Sequence, residues 1–371
     1  VQRQNFSQPH APQVHAAVHY IAHIRRSIMK TLDSIVEKAL SRRTFLAGAG
    51  AVATTAAVAG CSSNNTPTTT TPPVGTTKSA YSDTDVLNFA LNLEYLEAQF
   101  YLYAATGSGL AAGDTSAPSG YTGSFKEGTV MVGSAAAVQG LTSAQQEILN
   151  EIAYEEQAHV KFLRSALGAA AAPMPDLDLS FFGPLAVVAT ITTAATGTGS
   201  FNPFSSFDYF LVGAFIFEDV GVTAYSGAAP LITAAGVTSG YLTAAAGILA
   251  VEAYHAAYIR TSLTGRAILA GSAAAYPYLG AANLVAALRA TLTVGNSAAP
   301  STTGSVETKL VLPTSIASPS AIVSASADTA VGFSRTVNQV HHIVYGSPTV
   351  GVAKGGFFPS GTNSIFATTT A

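Results

Sequence analysis

The chain has 371 residues, 48% of them hydrophobic and 10% charged, enough to bury one large core or two small ones. Its formal net charge of -3 hides an asymmetry: seven of the seventeen basic residues lie at or before Arg43, and past Cys61 ten Lys and Arg face eighteen Asp and Glu. That leaves no basic stripe for a nucleic acid, and a single cysteine excludes an internal disulfide framework or a cysteine-built zinc site.

Residues 1–28 begin with Val1 and hold four of the eight histidines, His10, His15, His19 and His23. Met29 and Lys30 would open a normal signal n-region, so the expectation is translation from Met29, with 1–28 a non-native leader or a cytoplasmic extension. In 29–61, Arg42 and Arg43 precede Phe45, Leu46 and a mild apolar run that ends in VAGC at Cys61. This resembles a twin-arginine (Tat) export signal, and VAGC resembles the lipobox ahead of a lipid-modified cysteine. The resemblance implies the Tat translocase as a partner and a lipid anchor at Cys61; AVA ending at Ala59 also suits ordinary signal peptidase cleavage. Residues 62–81 are dense in Thr and Pro and lack large apolar side chains up to Tyr81, so they read as a solvated tether.

From Ser82 the pattern turns helical. SDTD supplies N-cap chemistry for helix A, which runs to about Ala105 with apolar residues at helical period. The following Gly and Ser rich stretch shows neither helix nor strand pattern. Helix B, from Thr142 or Ser143, is the most clearly amphipathic segment, with Gln three residues after either cap. A long crossover through 183–206 leads to helix C, closed by Gly227 and Pro230, and then to helix D through VEAYHAAY. Helix C is apolar enough to suggest a membrane span, but Glu218 and Asp219 sit at its middle, where a bilayer penalises them. Four long helices with one long connection predict an all-α four-helix bundle over 82–265. Residues 266–371 read as a mostly irregular C-terminal extension packed on it, with helices near 279–292 and 334–345.

Between Tyr209 and Leu263 the acidic residues are Glu218, Asp219 and Glu252, and the only Lys or Arg is Arg260. Ionised carboxylates in so apolar a setting cost several kcal/mol each unless paired, and a metal ion would pair them. Glu156 and His159 on helix B stand three apart, as do Glu252 and His255 on helix D; Glu94 on helix A and Glu218 on helix C each precede a tyrosine by seven residues, Tyr101 and Tyr225. The order Glu, Glu-x-x-His, Glu, Glu-x-x-His, one element per helix, supplies four carboxylates and two imidazoles to a bundle core. That is the inventory a pair of metal ions needs.

On these motifs the chain resembles the ferritin-like family of di-metal carboxylate proteins. The resemblance implies a ferritin-like bundle with two Fe or two Mn ions held by Glu94, Glu156, His159, Glu218, Glu252 and His255. It also implies that Glu156 and Glu252 bridge and that Tyr101 and Tyr225 orient the carboxylates. The tyrosines are otherwise ordinary core residues. Glu97, three residues from Glu94, is either an extra donor or, as favoured here, a partly solvated charge. Glu147, Glu151 and Glu155 read as the solvent face of helix B, and His341 and His342 as structural, with an inward position near the bundle mouth as the alternative. FSRTVNQVHHIVYG and GGFFPSGTNSIF, together with LNFALNLEYLEAQFY, resemble the subfamily that includes desiccation-related proteins.

Together these readings predict an exported envelope or periplasmic protein, redox-active toward a small oxidant, peroxide or dioxygen. The alternative is a metal-stabilised structural protein without turnover. Iron storage fits less well, because a closed multi-subunit shell has little room for a tether and a long extension.

Overall fold

In the computed structural model the described residues are 81–191, 201–294, 307–312, 322–326 and 328–369. The segments read above as a leader, an export signal (with Arg42, Arg43 and Cys61) and a tether, up to residue 80, lie outside them. The helices in chain order are α1 (Asp83–Thr106), α2 (Ala112–Thr115), α3 (Ser143–Leu167), α4 (Phe182–Val188), α5 (Phe207–Ala228), α6 (Ala234–Thr238), α7 (Tyr241–Leu269), α8 (Pro277–Val294) and α9 (Val337–Val344). Helices A to D of the sequence are therefore α1, α3, α5 and α7, and the fold is the expected all-α ferritin-like bundle.

Local chemistry sets the ends of these helices. Ser82 caps α1 in a reciprocal box with Asp85, and Thr142 caps α3 with Gln145, so each cap satisfies backbone donors that the first turn leaves free. Helix α1 stops at Gly107, whose left-handed backbone (φ 77°) suits a residue without Cβ. Gly240 (φ 84°) turns the chain into α7, which continues to Leu269, past the sequence expectation.

The loop after α1 is less irregular than its sequence suggests. It contains α2 and a two-residue strand β1 (Val130–Met131), which pairs in parallel with β2 (Leu177–Asp178) from the crossover. Two residues are too few to leave an alternation pattern.

Helix α1 packs chiefly on α3, and α5 on α7; the two pairs meet through α1 and α5, whereas α3 and α7 scarcely approach at the backbone. Helix α5 is buried nearly all round, as its continuous apolar sequence requires. Helix α7 is long and apolar enough to cross a membrane by length and composition, yet it buries Glu252, His255 and Arg260 on its bundle face.

An aromatic cluster joins the layers. Phe100 of α1 stacks on Phe210 of α5 with centroids 5.7 Å apart, and Phe182 of α4 and Phe204 of the crossover close around it. Phe357 of the C-terminal extension reaches Phe182 and Phe217 at 5.0 Å. Burying each such ring contributes about 1.5–3 kcal/mol. The extension is thus part of the core. Gly227 permits this, because a Cβ there would lie 1.8 Å from the Arg335 carbonyl oxygen. Asn363 completes the seam: its N–H donates to Asn92 Oδ1 at 2.8 Å, while Asn92 Nδ2 donates to the Asn363 carbonyl at 3.1 Å.

Candidate metal centre

The helical spacing of the motifs delivers their side chains to one interior level. Glu156 and His159 lie on one face of α3, Glu252 and His255 on one face of α7, and Glu94 and Glu218 project from α1 and α5; all six are buried. His159 Nδ1 lies 3.2 Å from Glu94 Oε2, 3.3 Å from Glu252 Oε1 and 3.6 Å from Glu156 Oε2. His255 Nδ1 lies 2.9 Å from Glu156 Oε1 and 3.6 Å from Glu218 Oε2. The donors fall into two groups, Glu94, Glu156, His159 and Glu252, and Glu156, Glu218, Glu252 and His255; within each, one donor atom per residue lies within 4.8 Å of the others. Glu156 and Glu252 belong to both groups, the position of a bridging carboxylate.

The tyrosines cross over. Tyr101 of α1 donates its hydroxyl to Glu218 of α5, and Tyr225 of α5 donates to Glu94 of α1. Each fixes one carboxylate oxygen and leaves the other directed at the cluster. Gly221 opens the space between them: a Cβ there would meet Glu252 Oε2 at 2.9 Å and Glu97 Oε1 at 3.4 Å.

Three expectations change. Glu97 is buried, 5% exposed, rather than partly solvated, and it stands outside both donor groups while sharing the interior with their carboxylates. Glu155 is not simply on the solvent face of α3, for its Oε2 lies 2.7 Å from His255 Nε2; Glu147 and Glu151 are exposed. Asp219 needs no metal: Arg260 binds it through Nε (2.9 Å) and Nη2 (2.7 Å), and Arg289 of α8 adds a third contact at 2.8 Å. Arg289 also pairs with Glu307, which Arg335 reaches at 2.5 Å, so a buried ladder of three arginines and two carboxylates runs from α5 into the extension. Arg289 lies outside the segment where the sequence offered Arg260 alone.

His341 and His342 are buried apart from the cluster. His341 stacks on Tyr345 at 5.1 Å, and His342 Nδ1 meets the Ser347 carbonyl at 2.7 Å. Burial and the neighbouring His342 push the His341 pKa down to about 3, which marks it as a neutral core residue.

The electrostatics of the cluster are those of a site built for cations. Burial, and then the neighbouring carboxylates, push Glu97 and Glu252 well above the usual range. Burial also raises Glu94 and Glu218, against the pull of His159 and His255 respectively. Burial opposes charge on Glu156 as well, but the close imidazoles of His159 and His255 outweigh it and hold this carboxyl at about 2. Burial would lower both histidines, but Glu94 and the other acids around His159, and Glu218 and Glu156 around His255, raise them instead. Both oxygens of Glu156 and of Glu252, Glu218 Oε2 and His255 Nδ1 are buried without a hydrogen bond of good geometry. Such groups cost several kcal/mol if left so. With the Nε2–H of His255 donated to Glu155, its Nδ1 turns a lone pair toward carboxylate oxygens, an arrangement that a cation between them resolves. The donor set, carboxylate oxygens with two imidazoles, suits iron or manganese.

A four-helix bundle with paired Glu-x-x-His motifs sharing two carboxylates defines a carboxylate-bridged class of metal-binding bundle. Residues 82–265 match the family model of the ferritin-like domain, and the chain belongs to the ferritin-like superfamily, in its desiccation-related branch. It is 33% identical over 189 residues to the desiccation-related protein PCC13-62 of Craterostigma plantagineum, covering 50% of this chain and 54% of that protein. It is 29% identical over 296 residues to the ferritin-like catalase Nec2 of Nesocodon mauritianus, covering 77% of this chain and 85% of that one. The chain thus spans about half the length of the first relative and most of the second. No solved structure matches it significantly.

Proposed function

We propose that the protein is an exported di-iron or di-manganese oxidoreductase that consumes hydrogen peroxide or dioxygen during stress. The observation that carries this reading is that Glu156 and Glu252, whose four buried oxygens lack hydrogen bonds of good geometry, are shared between two donor groups. Glu94, Glu156 and His159 would hold one ion and Glu218, Glu252 and His255 the other, with Glu156 and Glu252 reaching both. A bound pair of redox-active ions supplies the two-electron couple that peroxide turnover requires. The chain contributes the rest: four carboxylates balance the charge, Tyr101 and Tyr225 hold two of them in orientation, and the aromatic core keeps bulk water away. The ferritin-like catalase among the relatives supports peroxide as the substrate.

Export through the Tat pathway fits a protein that must load metal while folding in the cytoplasm, and a lipid at Cys61 with the tether behind it would hold the bundle at a membrane surface. Lys replacement of Arg42 and Arg43 should strand the precursor in the cytoplasm, and Cys61→Ser should abolish labelling by a fatty acid; secretion and release unchanged in both would remove this part.

Loss of peroxide consumption in Glu156→Ala and His255→Ala, with metal-loaded wild type active, is the expected result. Equal rates in all three would sink the catalytic reading. A second reading rests on the desiccation-related relative and the buried arginine ladder: a bundle stabilised by metal without turnover. In that case chelation lowers the Tm while no oxidant is consumed.

A further inference from the structure

The two halves of the centre correspond at the six donors and the two tyrosines, and differ beside them at Glu97, whose counterpart on α5 is Gly221, and at one position on α3 and α7. Helix α3 carries Glu155 directly before Glu156; helix α7 carries Val251 directly before Glu252. Glu155 reaches across to His255, Oε2 to Nε2 at 2.7 Å, and so fixes the ring that presents Nδ1 to Glu156 and Glu218. The reciprocal bond is absent, because valine offers His159 no acceptor, and among the described residues none hydrogen-bonds His159 Nε2. Instead Val251 and His159 line one groove between α3 and α7, together with Phe162, Ala244, Gly247 and Ile248. The groove is open to solvent and encloses about 530 Å³. It exists because α3 and α7 scarcely approach at the backbone.

We propose that the two metal positions are unequal: the position at His255 is braced by Glu155 and binds its ion tightly, while the position at His159 binds loosely and is the one reached from solvent through the groove. This inference rests on the di-metal reading and deepens it. A carboxylate on the far nitrogen of a ligating imidazole orients the ring and raises its basicity, and removing such a partner weakens metal binding 10–100-fold. The lining of the groove is mostly apolar, with His159 as its one imidazole. The groove therefore admits a small uncharged ligand such as hydrogen peroxide to His159, and its apolar lining would disfavour a charged reductant. Glu155 is a positioning residue here, since it acts through His255.

The test is equilibrium dialysis of metal-free protein against Mn(II), with bound ions counted against free. Wild type should fill in two steps of different affinity. Glu155→Ala should weaken the tighter step 10–100-fold and leave the looser one in place. Glu155→Gln, which keeps an acceptor at His255 Nε2, should recover part of the loss. Val251→Phe, which fills the groove, should slow the removal of the loosely held ion by a chelator without changing the count at saturation. Two ions bound with one affinity, or a Glu155→Ala isotherm equal to that of wild type, would overturn the inequality and leave the di-metal reading standing. No binding by wild type would instead refute the di-metal reading on which it rests.

Discussion

The hydroxyl of Tyr101 donates to Glu218 across the bundle core, and it is the counterpart of the bond from Tyr225 to Glu94. Each tyrosine serves the carboxylate of the other helix, so α1 and α5 are pinned at the level where the donors converge. Tyr101→Phe removes the donor without changing the ring. The freed carboxylate oxygen should cost about 1–3 kcal/mol of stability, and metal affinity should fall about tenfold. Thermal melting with and without metal measures the first effect, and dialysis the second; unchanged affinity would make Tyr101 an ordinary core tyrosine.

Glu218 and Asp219 are adjacent in sequence but should respond to substitution in opposite ways. Asp219→Ala removes the buried carboxylate that Arg260 and Arg289 share, leaving Arg289 to Glu307, and should destabilise the fold by about 3–5 kcal/mol, while leaving the bound metal count intact because Asp219 is outside both donor groups. Glu218→Gln should lose metal, yet leave the metal-free protein as stable as wild type or more so, since a buried charge is removed. Denaturant midpoints and metal content on both variants decide this.

Removal of metal should make stability depend on pH in a stated direction. Glu94, Glu97, Glu218 and Glu252 are raised above 4.5, and His159 and His255 above 6.5. For all six, the folded state binds more protons than the unfolded chain once pH passes the unfolded value. Their contribution is complete below that value and is lost as pH rises through the folded one. His341, held down at about 3, works the other way below pH 6.5, and Glu156, held at about 2, does so below 4.5. Above pH 6.5 the raised groups act alone. The Tm of the metal-free protein should therefore fall between pH 6.5 and 8.5, whereas the metal-loaded protein, whose donors have released their protons to solvent on binding the ions, should hold or gain stability. Parallel curves for the two forms would contradict the assignment of these groups to a metal centre.

Gly227→Ala tests the attachment of the C-terminal extension. A Cβ there would meet backbone rather than a movable side chain, so α5 and the segment at Arg335 must separate. The Tm should fall sharply, and proteolysis should begin in the extension before the bundle is cut. A normal Tm with an intact extension would show that this seam carries little of the stability.

What could be read in the sequence was what depends on spacing along a single helix. The Glu-x-x-His pairs, the tyrosines seven residues after Glu94 and Glu218, and the caps at Ser82 and Thr142 are local patterns, and periodicity places them. What stayed hidden depends on approach between helices. Glu155 looked like one more solvent carboxylate because its partner His255 lies 100 residues away. Arg289 escaped for the same reason, since Asp219 is 70 residues from it. Glu97 was misplaced because α1 is buried on nearly every side, so its helical face does not reveal its exposure. The β1–β2 pairing had too little length to show a period.

Metal content per chain, measured by mass spectrometry on protein purified without chelators beside a Glu156→Ala, Glu252→Ala double variant, tests the central claim most directly. Both residues belong to both donor groups, so their loss should empty the centre at once. The account predicts about two iron or manganese ions per wild-type chain, by analogy with paired-carboxylate bundles, and none in the variant. Wild-type protein without metal, and a variant of equal stability, would contradict it.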